Sequence, residues 1–125
     1  MFTKLEDISC FTDIKDVLKY LKNNFELNYW EIQLILEENL PHQGVTDMIY
    51  SDYKAIIKIR KELNFKEQIL TLIHELIHLI DRDCHDVVTD NLEDYPLTLY
   101  NRYHERVIEK ISKILYRKVV GKKNE

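Results

Sequence analysis

The chain has 125 residues and a mass of 15.1 kDa, the size of one domain around one hydrophobic core. Its 45% hydrophobic and 32% charged content suits a soluble globular fold and is too apolar for a disordered chain. Two glycines, Gly44 and Gly121, lie far apart, which excludes the clustered glycines of a P-loop or a dinucleotide fingerprint. A formal net charge of −4 disfavours direct nucleic-acid binding, whose affinity rests on phosphate neutralisation. The one basic cluster, Arg117, Lys118, Lys122 and Lys123, suits the negative end of a helix. Cys10 and Cys84 belong to no CxxC pair, so no zinc knuckle or disulfide framework is expected, and a reducing cytoplasm is the expected setting. No apolar run approaches the roughly 20 residues of a membrane span, and Glu6 and Asp7 arrive before any apolar leader region can form.

Thr12 or Asp13 can cap a first helix running to about residue 24, because Ile14, Val17, Leu18, Leu21 and Phe25 recur at spacings of three and four. From 27 to 36 the residues become aromatic and β-branched, which reads as a strand with Trp30, Ile32, Leu34 and Leu36 on one face. A loop follows over 39–44, then strands over 45–50 and 54–59 joined by Ser51-Asp52-Tyr53. The simplest arrangement is a three-stranded antiparallel meander, which needs a helix to cover it. A helix over 65–81 supplies the cover through Ile69, Leu72, Ile73, Leu76, Leu79 and Ile80. The polar stretch 82–96 reads as a long loop or broken helical turn. A last helix begins at 97 or 99 and ends near 119, with Tyr103, Val107, Ile111, Ile114 and Leu115 on its expected inward side. The expected class is α+β.

The apolar helix carries His74-Glu75-Leu76-Ile77-His78, an H-E-x-x-H string. Residues four apart stack on one face of a helix, so the two imidazoles can reach one metal ion while Glu75, displaced by about 100°, addresses a water on it. Zinc with three protein ligands keeps a fourth position for that water and lowers its pKa to about 7, so that a neighbouring carboxylate can take the proton. Imidazoles and a carboxylate are also costly in an aliphatic helix unless paired or metal-bound.

The third ligand is open to competition. The metzincin pattern asks for Gly at 81 and His at 84, where this chain has Asp81 and Cys84, with His85 one residue out of register. Glu105, 27 residues after His78, is favoured because the last helix can present it rigidly to the first two ligands. His104 and Cys84 rank below it, and His42 reads as a loop residue. Asp81 shares the histidines' side of the helix and is a candidate to accept a hydrogen bond from a ligand imidazole. Tyr50, Tyr53, Tyr95 and Tyr103 are candidates to stabilise an oxyanion.

On these residues the chain resembles the compact zincins of the ImmA/IrrE type, common among phage and mobile-element proteins. The segment Thr71-Leu72-Ile73-His74-Glu75-Leu76-Ile77-His78 is similar to that family's active helix. Glu105-Arg106-Val107-Ile108-Glu109-Lys110-Ile111-Ser112 loosely fits its Glu-x-x-Ala-Asn-x-Phe-Ala pattern, matching at Glu105 and departing at Ala, Asn and Phe. The resemblance covers about 30–115 and implies a zincin fold with His74, His78 and Glu105 as zinc ligands and Glu75 as general base. Family members often cleave a repressor, and some carry a helix-turn-helix domain that has no counterpart in this chain.

The expected activity is therefore zinc-dependent hydrolysis of a peptide bond in a regulatory protein. The substrate is expected to be an extended peptide added to the exposed edge of the sheet. A metal-stabilised binding module without turnover is the first alternative, and a metal-free α+β interaction domain the second. Iron, manganese or cobalt could take the same ligands as zinc.

Overall fold

The computed structural model describes the backbone over 11–49, 52–91 and 94–120, and the side chains of these residues apart from 83–91, 94–97 and 119–120. The fold is α+β: α1 (Ile14–Asn24), β1 (Glu31–Glu37), β2 (Gly44–Ile49), β3 (Lys54–Arg60), α2 (Phe65–Asn91) and α3 (Asp94–Val120). Among the described residues no helix is long and apolar enough to cross a membrane.

Asp13 caps α1, its side chain accepting from the Lys15 amide at 2.9 Å, which satisfies one of the orphan donors of the first turn. The helix ends where Glu26 takes a left-handed conformation, φ 58°, so that the Leu27 amide turns back to the Lys22 carbonyl at 2.8 Å. This closure occupies 25–30, and β1 consequently starts at Glu31 instead of Leu27. At the head of α2, Asn64 and Glu67 cap reciprocally: the Asn64 side chain accepts from the Glu67 amide at 2.8 Å, and the Glu67 carboxylate accepts from the Asn64 amide at 3.0 Å.

The sheet is mixed, with strand order β1-β3-β2. β1 runs parallel to β3, while β2 runs antiparallel to it, which corrects the expected antiparallel meander. The six residues 38–43 between β1 and β2 are enough to step over one strand position, about 10 Å at the usual spacing, leaving a gap that β3 fills. Arg60 fastens this crossing, its Nε donating to the Leu40 carbonyl at 2.7 Å and its Nη2 to the Pro41 carbonyl at 3.0 Å. The central position falls to β3, and Ala55, Ile57 and Ile59 are buried along its inner face.

That face packs under α1 and α2, with Val17, Leu21, Ile69, Leu72, Ile73 and Leu76 in the same core as Leu34 and Trp30. The outer face is lined by charged residues, including Lys54 with Glu31 and Lys58 with Glu37, each at 3.7 Å, pairs of little energetic weight at such exposure.

Three further expectations are corrected. The polar stretch after Asp81 is helix to Asn91, not loop: the chain from Phe65 to Tyr95 has no glycine or proline to break it. Pro96 lies in the first turn of α3, where a missing amide costs nothing. On α3, the inward side is not the one marked by Tyr103, Val107, Ile111 and Ile114, which are exposed. Ile108 and Ser112 are buried instead, with Leu115 half-buried beside them. On α2, Ile80 is likewise exposed.

Candidate metal centre

α2 and α3 pack against each other, and the ligand-bearing faces meet. His74 and His78 are one turn apart on α2, with Nε2 atoms 3.2 Å from each other. Glu105 on α3 brings Oε1 to 2.8 Å from His74 Nε2 and Oε2 to 3.5 Å from His78 Nε2. These three residues form a group that could hold one metal ion, their donor atoms all lying within 4.8 Å of one another. Bonds of about 2.0–2.1 Å in a tetrahedron set neighbouring donors about 3.3 Å apart, so the observed separations bracket what one ion needs. Two neutral imidazoles and a carboxylate are also a donor set that first-row divalent ions accept. His74 and His78 are half-buried, and Glu105 is the most exposed of the three.

The centre opens into a cleft of about 500 Å³ whose walls come from three directions. α2 contributes Leu70, Thr71, His74 and Glu75; α3 contributes Glu105, Glu109, Ser112 and Lys113; and the start of β2 with its preceding loop contributes His42, Gln43 and Gly44. Glu75 is buried, 7% exposed. Its Oε1 accepts a 2.6 Å hydrogen bond from Thr46 Oγ1 on the inner face of β2, which offsets part of the cost of placing a carboxylate there. Gly44 permits this approach, because a Cβ at that position would stand 2.6 Å from Thr71 Cγ2 and 3.2 Å from Glu75 Oε2.

The other sequence candidates are placed elsewhere. His104 does not join the cluster: its Nε2 is 2.6 Å from Asp81 Oδ2, and its ring stacks on Tyr100. Asp81 is thus engaged with His104 across the helix pair. Tyr53 packs edge-on against Trp30 and Tyr29, and Tyr103 lies under Arg106. Neither tyrosine lines the cleft. The side chains of Cys84, His85, Tyr50 and Tyr95 lie outside the described residues. His42 is the loop residue expected, yet it lines the cleft, a role not read from the sequence. Thr46 was also missed, because threonine is an ordinary strand residue and its type alone gives no signal.

No protein-family model, curated protein or solved structure matches the chain.

Proposed function

We propose that this protein is a small zinc-dependent peptidase of the zincin kind, resembling the ImmA/IrrE type, and that it acts on a peptide bond in an extended segment of another protein. The observation that carries the reading is the convergence of His74 Nε2, His78 Nε2 and a Glu105 carboxylate oxygen from two helices, beside an open cleft that His74 and Glu105 line. A zinc ion bound there supplies Lewis acidity, polarising a carbonyl and making a water acidic near neutral pH.

The chain's own residues supply the rest. Glu75 follows His74 directly, lines the same cleft, and has one oxygen fixed by Thr46, which leaves Oε2 as the atom to accept a proton from the attacking water and return it to the leaving amine. The exposed flank of Glu105 keeps the cleft open to solvent and substrate. β2 is an edge strand that brings Gly44 to the cleft wall, so a peptide added along it can run past the centre by main-chain hydrogen bonding.

The test pairs metal content with turnover. Purified protein is expected to carry about one zinc per chain by elemental analysis and to release fragments from repressor-type regulatory proteins or a peptide library. Glu75→Gln keeps the metal and abolishes the fragments. Cleavage by that variant at the original rate refutes the mechanism. A metal-loaded wild type that forms stable complexes and releases no fragment is the non-catalytic binding module instead.

A further inference from the structure

The strongest aliphatic period of α3 points away from the core. Tyr103, Val107, Ile111 and Ile114 are 53%, 51%, 41% and 52% exposed, and their spacings of four, four and three place them in one longitudinal row about 16 Å long. Beside this row runs a second one. Arg102, Arg106, Lys110, Lys113 and Arg117 are all exposed and repeat at four, four, three and four, which sets them along one flank of the apolar row. Arg106 lies over the Tyr103 ring at 5.5 Å, tying the two rows together. Between Thr98 and Lys118 the helix has six Lys and Arg against two carboxylates, in a chain whose net charge is −4.

We infer that this face of α3 docks one amphipathic helix of a partner protein, with an aliphatic seam and acidic residues along one side. Two observations choose that occupant. The apolar row is one residue wide, the width that a single facing helix covers, whereas a helix lying in a bilayer surface presents a broad apolar face. The cations lie on one flank, so the complementary ligand is a helix with carboxylates on the matching flank. A second copy of this chain supplies no such match: antiparallel pairing sets the cationic rows against each other, and parallel pairing sets them against the flank of His104, where the carboxylate of Asp81 is already engaged by that imidazole. The buried face of α3, with Ile108 and Ser112, lies about 100° or more round the helix from this row, so docking leaves the contacts to α2 in place. The inference stands whether or not the metal centre hydrolyses anything.

The test uses the full-length protein and a synthetic helical peptide of about 20 residues with leucines at spacings of three and four and glutamates along one flank. The expected result is saturable binding to this peptide by fluorescence anisotropy, at least about tenfold tighter than to a scrambled peptide of the same composition. Val107→Ser with Ile111→Ser weakens binding about tenfold or more. Arg106→Glu with Lys110→Glu transfers the preference to a peptide with lysines on that flank. Circular dichroism and melting temperature of both variants match the wild type, because the replaced side chains are exposed. Equal binding of the scrambled peptide overturns the inference. So does sedimentation with phosphatidylserine-containing vesicles in the absence of peptide binding, which assigns the face to a membrane surface. A dimer that Val107→Ser dissociates assigns it to a second copy and overturns it equally.

Discussion

Thr46 Oγ1 donates a 2.6 Å hydrogen bond to Glu75 Oε1, joining the edge strand of the sheet to the carboxylate that follows the first histidine of the H-E-x-x-H string. The bond spans 29 residues of sequence and fixes how far β2 stands from α2. Thr46→Val keeps the shape and removes the donor, leaving a buried carboxylate oxygen short of a partner. Urea unfolding of the variant should show a loss of about 1–3 kcal/mol. On the proposed reading, peptide cleavage should fall in this variant while metal content stays at the wild-type level.

Gly44 is needed for close approach. An added Cβ meets Thr71 Cγ2 at 2.6 Å, and Thr71 is buried in the same helix face, so either β2 or α2 has to shift. Gly44→Ala is expected to cost about 1–3 kcal/mol and, on the proposed reading, to lower peptide cleavage through displacement of Glu75. The equilibrium measurement is a denaturant titration, and an unchanged midpoint contradicts the packing described.

Loss of Glu105 separates the metal from the fold. Glu105→Gln replaces an anionic donor with a neutral amide of the same size, and zinc affinity measured by chelator competition should fall by about a hundredfold or more, beyond what losing a supporting hydrogen bond costs. The half-buried histidines remain on α2, so the far-ultraviolet spectrum should not change. Chelation of the wild type should lower its melting temperature toward that of the variant, because a ligand bound only by the folded state stabilises it.

Arg60 closes the crossing between β1 and β2 through the Leu40 and Pro41 carbonyls. Arg60→Met keeps the aliphatic stem and removes both donors, with an expected loss of about 1–3 kcal/mol. Since the same loop carries His42 and Gln43 into the cleft, hydrogen exchange should accelerate at the Arg60 amide, which donates to the Gln43 carbonyl, before global unfolding.

The elements and the grouping of His74, His78 and Glu105 were largely legible in the sequence, for identifiable reasons. The histidines stand out because imidazoles in an aliphatic helix are chemically out of place, and Glu105 was favoured over its competitors because the following helix can present a carboxylate to them from rigid support. The path of the sheet was hidden, since alternation in Lys54–Arg60 fixes which residues face inward but not which strand is the neighbour. The orientation of α3 was misread because it has two candidate faces. Its inner face includes His104 and Ser112, the latter donating to the Ile108 carbonyl at 2.7 Å, and is less aliphatic than its outer face. Periodicity alone therefore favours the outer row as core. Thr46 and Gly44 acquire their meaning only from the approach of β2 to α2, a tertiary distance that no local pattern encodes.

The last strand to be synthesised is the one in the middle. β1 and β2 have no hydrogen-bonded partner until β3 emerges and inserts between them, so a nascent chain ending before Lys54 has no sheet to grow from. The Gly44 wall of the cleft therefore rests on β3, while its other walls belong to α2 and α3, which come later still in the chain. The cleft thus draws on every part of the chain from the β1–β2 crossing to α3, and no shorter stretch holds all of its walls.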